Sequence, residues 1–260
     1  MVVALVLPAS NPRGRRRLLE SVAEQTRLPD SVRVLEPGGR GRASVFAEAL
    51  GHRDAHHEWF WLLDGTAIPA TDALERLLAP LQELGPLPPP VLLASKVVDA
   101  TGVLDPGRAP WPRLLQKEVS LDACERHLVS VRAARHGSLL MHRRALERHG
   151  PPRADYVDDG EDLEWTARVL RTESGYLVPG SRAVRLDAAL TAQESNLRRR
   201  RDLRNRVNTL RGSAWGGEEK LWFAFLVAQD VVTDLRCDLR PATLRATLGA
   251  VRAGLRLPSH

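Results

Sequence analysis

Apolar runs alternate with mixed polar segments along most of the chain, and that alternation predicts strands separated by helices. Residues 2–7 form an unbroken apolar run, rich in β-branched side chains and closed by Pro8, which predicts a strand buried on both faces of a parallel sheet. Asn11 followed by Pro12 marks a helix start, with Leu18, Leu19, Val22 and Ala23 as its apolar stripe. Residues 31–35 predict a second strand, so the opening unit is a right-handed parallel crossover. Ligands of such sheets bind at the carboxyl ends of the strands, here Pro8 to Ser10 and Glu36 to Gly39. Residues 41–49 predict a helix. Residues 59–63 predict a third strand that delivers Asp64, Gly65 and Thr66 at its carboxyl end, and Thr71 is expected to cap the helix through Leu74, Leu77 and Leu78.

Further on, 91–98 predict a strand, and 108–120, which carry Trp111, an irregular loop over an acceptor cleft. Strands over 127–131 and 137–141 then lead to Arg143, Arg144 and a helix ending at Gly150. After residues 175–179 a last strand is expected over 183–186. From Asn196 the pattern turns helical: a basic run through Arg198, Arg201, Arg204 and Arg211, a strongly apolar helix over 221–235, and a basic amphipathic one over 242–257. The chain is therefore read as a catalytic domain over 1–195 and a C-terminal helical appendage over 196–260.

Composition changes this picture in three places. With 260 residues and 43% hydrophobic content the chain can bury a full core. The net charge of +6 comes almost wholly from arginine, since Lys96, Lys117 and Lys220 are the only lysines. Without stacking aromatics between the arginines, nucleic acid is not the expected partner; Arg245, Arg252 and Arg256 against Leu244, Leu248, Val251 and Leu255 leave two readings, a helix packed on the catalytic domain with a charged outer face or a contact with an anionic membrane surface. Cys124 and Cys237 lie too far apart for a metal or redox motif, and no apolar run reaches spanning length, so the expected location is cytoplasmic and peripheral on the inner face of a membrane. The His56-His57-Glu58 run reads as a solvated turn, and His136 and His142 as structural.

The densest chemistry lies between Asp155 and Glu164, where six carboxylates are interleaved with Tyr156, Val157 and Leu163 and followed by Trp165. From Glu161 the apolar spacing of Leu163, Trp165, Ala167, Val169 and Leu170 fits a helix entering the protein after Gly160. Dipole complementarity explains one or two acids in a first turn, but not six. A carboxylate at the mouth of such a helix, half buried by Trp165, is expected to be held as a general base.

Gly160, Glu161, Asp162, Glu164, Trp165 and Arg168 resemble the Gly-acid-Asp-x-Glu-Trp-x-x-Arg signature of the inverting family-2 glycosyltransferases. Ser21, Gln25, Thr26, Pro29 and Asp30 early in the chain, then Gly137, Leu140, Arg143, Arg144 and Gly150, match the same family in order, and Arg204-Asn205 matches a pair common in its lipid-acceptor members. The resemblance implies a GT-A fold: a Rossmann-like, mostly parallel α/β sheet with helices on both faces that binds a nucleotide sugar. It implies transfer, with inversion, from a UDP- or dTDP-sugar to a hydroxyl of a glycan or lipid-linked acceptor, most nearly as in bacterial rhamnosyl- or galactofuranosyltransferase-like enzymes.

Carried over by position, Asp162 would be the base beside Glu161, and Pro8, Ser10, Glu36, Asp64, Thr66 and Arg185 would meet the donor. The family's Mn²⁺ or Mg²⁺ site is only partly present, because Asp64 remains while Thr66 replaces the ligating acid and Arg185 the histidine. A hard divalent ion needs several oxygen ligands, whereas a guanidinium can itself bind two phosphate oxygens in a planar fork. Two outcomes are therefore expected from the same residues: a metal-independent transferase, or a catalytically silent homologue that serves as partner or scaffold.

Overall fold

The computed structural model describes residues 1–8, 11–51, 56–105, 108–113, 116–156, 160–186, 192–237 and 241–256. It opens with β1 (Val2–Val6), α1 (Pro12–Ala23), β2 (Ser31–Val34), α2 (Arg42–Gly51) and β3 (Trp59–Leu63). β4 (Ala67–Pro69), α3 (Ala73–Leu78), β5 (Pro90–Val98), β6 (Trp111–Pro112), α4 (Lys117–Glu125), β7 (Val129–Ala133) and β8 (Leu139–His142) follow. The chain continues with α5 (Arg143–His149), α6 (Glu161–Val169), β9 (Ser174–Arg185), α7 (Ala192–Arg211), α8 (Gly217–Cys237) and α9 (Pro241–Arg256).

The strands form one sheet in the order β2-β1-β3-β8-β5-β9-β7-β6, with β4 laid against β9. β1 runs parallel to β2 and β3, and β5 parallel to β9, while the other pairs are antiparallel. The sheet is thus mixed, where a mostly parallel one was expected, because strands buried on both faces read as the same apolar run in either direction. One face is filled by Val45, Phe46, Leu146, Trp165 and Val169, the other by Leu18, Val22, Leu74, Leu77 and Tyr176.

Several local expectations are refined. Asn11 caps α1 by accepting from the Gly14 N–H at 2.6 Å. Residue 72 rather than Thr71 precedes α3, and its amide partner comes from elsewhere: Gln25 Oε1 accepts from the Leu74 N–H at 3.0 Å while Gln25 Nε2 donates to the Ala70 carbonyl. The expected loop over 108–120 contains β6 and the first turn of α4. The pieces expected over 175–179 and 183–186 are one strand, β9, with a register irregularity opposite Ser95 and Lys96. His57 is buried, not solvated, against the Ser31 hydroxyl at 3.0 Å, and His142 caps α5 through Nδ1.

The C-terminal helices pack onto α6. Leu163 and Ala167 of α6 meet Val207 of α7, Trp215, and Phe223 and Val227 of α8 in a separate cluster. α9 crosses α7 at Gly254, where a Cβ would stand 2.5 Å from the Arg204 carbonyl oxygen. That close approach leaves room for no side chain at position 254.

Candidate functional site

β2, β1 and β3 lie side by side and parallel, so their carboxyl ends bring Glu36, Pro8 and Asp64 to one edge of the sheet. β4 and β9 extend this edge. Their ladder pairs Ala67 with Arg185, and the Leu186 N–H donates to the Thr66 carbonyl at 2.9 Å, so Thr66 and Arg185 are neighbours although 119 positions apart. Ser10, Asp158 and Asp159 fall outside the described residues.

Asp64 is the anchor of the edge. Its side chain is fully buried, with Oδ1 accepting from the Thr66 N–H at 3.0 Å and hydroxyl at 2.5 Å, while Oδ2 faces Arg42 in a short ion pair and Arg108 at 3.7 Å. Burial alone would raise this carboxyl, but Arg42 and Arg108 hold it well below the ordinary carboxylate range. Arg42 also donates through Nε to Glu161 Oε1 at 2.6 Å, so one guanidinium ties the end of β3 to the start of α6.

Gly160 starts that helix at φ 90°, a left-handed conformation that favours glycine, with Asn205 of α7 3.3 Å from where a Cβ would stand. The turn so formed buries Glu161 and Asp162 together. Asp162 Oδ2 accepts from the His136 N–H at 2.9 Å, Oδ1 accepts from the Leu163 N–H at 2.7 Å, and Arg135 stands 3.7 Å away. Burial pushes its carboxyl up, yet Arg135, with Arg42 and Arg108 beyond it, leaves it ionised and well below its usual value. Trp165, expected to half bury the base, instead points into the core and donates to the Gly150 carbonyl at 3.0 Å. The cover over Asp162 comes from the 135–136 loop of β7.

His136 was expected to be structural, but it sits inside this cluster. It is fully buried, 3.8 Å from Glu161 Oε1, and against the ring of Phe46; burial holds it in the neutral form although Asp162 and Glu161 pull the other way. Among the described residues neither of its ring nitrogens has a hydrogen-bond partner, nor has Glu161 Oε2. Unsatisfied buried polar atoms that converge on one spot are the usual imprint of a ligand's hydroxyls. The neighbouring Gly137, at φ 142° with Val97 3.0 Å from a notional Cβ, allows the chain to turn here.

Arg42, Arg108, Arg135 and His136 were not among the sequence-derived candidates. Arg42 opens α2, Arg108 lies in a loop and Arg135 and His136 follow β7, with no motif to mark them in a chain where arginine is the default cation. Two expected donor contacts have other partners. Glu36 is exposed and ion-paired with Arg15 at 2.5 Å, and Arg185 pairs with Asp105 at 3.1 Å. The site therefore balances Asp64, Asp105, Glu161 and Asp162 against Arg42, Arg108, Arg135 and Arg185.

The donor set does not suit a divalent ion. Asp64, the acid that would hold one, is already engaged through both oxygens and lies between two guanidinium groups, which repel a cation. Among the described residues no group of three or more His, Cys, Asp or Glu side chains is arranged to hold a metal.

No protein-family model matches the chain, and no curated protein matches it. Among solved structures it is similar to GalNAc-T7, crystallised with UDP, GalNAc and Mn²⁺, with a TM-score of 0.52 and 13% identity. The match covers 87% of this chain and 54% of that one, so the chain spans about half the length of the structure it resembles. The likeness is one of fold. The mixed sheet and its helical layers are GT-A-like.

Proposed function

We propose that this chain is an inverting glycosyltransferase that moves a sugar from a nucleotide diphosphate to an acceptor hydroxyl. The observation that carries the reading is Asp162, a carboxylate kept ionised by two backbone N–H groups and Arg135 at the first turn of α6, beside the Asp64 edge of the sheet. In the step we infer, the acceptor oxygen forms a bond to the anomeric carbon as the bond from that carbon to the diphosphate breaks. The hydroxyl proton passes to the Asp162 carboxylate and the bonding pair leaves with the diphosphate. In-line displacement inverts the anomeric centre.

The arginines supply the leaving-group stabilisation. A diphosphate entering the edge would compete with Asp64, Glu161 and Asp162 for Arg42, Arg108 and Arg135, and each guanidinium it captures would leave a buried carboxylate less compensated. The Asp162 carboxyl then rises from its depressed value toward one that suits a base, so donor binding primes the acceptor step. Metal independence follows from the same arginines and belongs to this proposal, with Glu36, Thr66 and Arg185 as outer donor contacts.

The helical layer is read as a peripheral contact with an anionic membrane on the inner face. Leu244, Leu248 and Leu255 of α9 are about half exposed on the side away from α7, and among the described residues no helix is long and apolar enough to cross a membrane.

The test is incubation of the chain with a panel of UDP- and dTDP-sugars and a simple glycoside acceptor, with product anomers read by NMR and UDP binding by calorimetry. An inverted product, with Asp162→Asn slower by roughly 10²- to 10⁴-fold yet still binding UDP, is the expected result. Turnover of Asp162→Asn at the full rate would remove it as the base. UDP binding without transfer from any donor would favour the silent homologue.

A further inference from the structure

At the far end of α6 from Asp162 a cavity of about 630 Å³ opens between β6 and α8, walled by Trp111, Trp215, Trp222 and Leu226. Two of these rings are packed from behind: Trp215 stacks on Phe223 at 5.1 Å with Arg132 4.7 Å over its ring, and Trp111 is tilted against both Trp215 and Phe223 within 5.3 Å. Trp222, more than half exposed, stacks on Phe225 at 5.6 Å and carries the apolar surface out to the rim. Three tryptophans around one open cavity are far more than a surface needs.

A second, shallower cavity of about 430 Å³ adjoins it and shares Arg171, Trp215 and Gly216. Its character is opposite. Arg171, Arg211 and Lys220 line it, no acid does, and the first turn of α8 begins there at Gly217. The cations are aimed by backbone contacts: Arg171 donates to the Ser213 carbonyl at 2.8 Å and Arg211 to that of Leu255. Two acids line the tryptophan cavity: Glu219, held by Arg132 and by the Gly216 N–H at 2.8 Å, and the exposed Glu218. Trp215, which lines both cavities, has its indole N–H buried with no acceptor among the described residues, a deficit that an oxygen at the junction would relieve.

An apolar trough that ends in a cationic notch fits one kind of molecule. We propose that this is a binding site for a single amphiphile, its chain on Trp111, Trp215 and Trp222 and its phosphate against Arg171 and Lys220, and that it presents the acceptor to Asp162. The second half rests on the transferase reading. The distance suits it: nine residues separate Asp162 from Arg171 along α6 and its last turn, about 13 Å at helical rise, a gap for a short glycan between phosphate and accepting hydroxyl. The chain also links the two sites directly, since Arg108, beside Asp64, is three residues from Trp111.

The experiment titrates the full chain with dodecyl phosphate, dodecyl maltoside and inorganic phosphate, each below its micellar concentration, reading tryptophan fluorescence and calorimetric stoichiometry. Dodecyl phosphate is expected to bind one to one, more tightly than either other probe. Trp222→Ala, at an exposed position, should weaken it about tenfold, the scale of one aromatic face and its buried area. Lys220→Glu should weaken dodecyl phosphate and leave dodecyl maltoside unchanged. Equal binding of the two detergents, no effect of Trp222→Ala, or a stoichiometry that keeps rising, as for adsorption to a lipid surface, would each overturn the proposal. UDP titration of the same samples separates the two readings: amphiphile binding without UDP binding faults the transferase, and UDP binding without amphiphile binding faults this site alone.

Discussion

The two ends of α6 solve opposite problems with similar side chains. At its N-terminus, arginines and carboxylates are buried together and neutralise one another, so the site is closed by its own charges. At its far end, Arg171 and Lys220 line an open notch without acids, beside a buried Trp215 and an exposed Trp222. The difference is one of dielectric environment. A buried guanidinium needs a partner before any ligand arrives, whereas one at the surface is stabilised by water and can wait.

Removing a partner at the closed end therefore gives the largest expected effect. Arg42→Ala would leave Asp64 and Glu161 buried without their shared guanidinium, a loss of about 3 to 5 kcal/mol in urea unfolding at pH 7. Its pH dependence has a definite sign. In the native chain the Asp64 and Asp162 carboxyls titrate below their ordinary value of about 4, so their stabilisation is complete above that pH and is lost as pH falls through the native values. Without Arg42 burial dominates and the Asp64 value rises, so its ionised carboxyl destabilises the variant at neutral pH and the deficit shrinks as pH falls. Equal urea midpoints for the two proteins at pH 7 would mean that the cluster is not the closed, self-neutralised unit described.

A smaller effect is expected from exchanging charge at the rim of the same site. The chain should bind UDP equally in EDTA and in Mn²⁺, and Arg185→His combined with Thr66→Asp should make binding respond to Mn²⁺ by about tenfold or less, since Arg42 and Arg108 still oppose a cation. Calorimetry decides it, and UDP binding by the native chain only with metal would refute it. The smallest effect belongs to the open end. Leu248→Gln should leave folding unchanged and reduce sedimentation with anionic vesicles severalfold at low salt, less so as salt rises. Native protein that ignores such vesicles would return α9 to a packing role.

The sequence made some of this visible and hid the rest for physical reasons. The acidic block at α6 was legible because its carboxylates interrupt a helical apolar period, and Asp64 because a buried strand ends on it. Strand direction was not legible, since β5 before Ser95 and β8 before His142 read as the same apolar run as β1. Nor were Arg42, Arg108 and Arg135, whose significance lies in convergence from the start of α2 and two separate loops. Glu36 shows the converse: its position at the sheet edge was readable, but not its capture by Arg15.

On the transferase reading proposed above, the bridge that Arg42 makes between Asp64 and Glu161 bears on the end of the reaction cycle as much as its start. After transfer the nucleotide carries one more ester oxygen's worth of negative charge than the sugar donor did, and arginines alone would retain it. Here the two carboxylates remain beside the guanidinium as tethered counter-ions at very high local concentration. They would reclaim Arg42 whenever the departing diphosphate loosens, so the same ion pairs that shut the empty edge would also clear it, setting the turnover rate through release of the spent nucleotide.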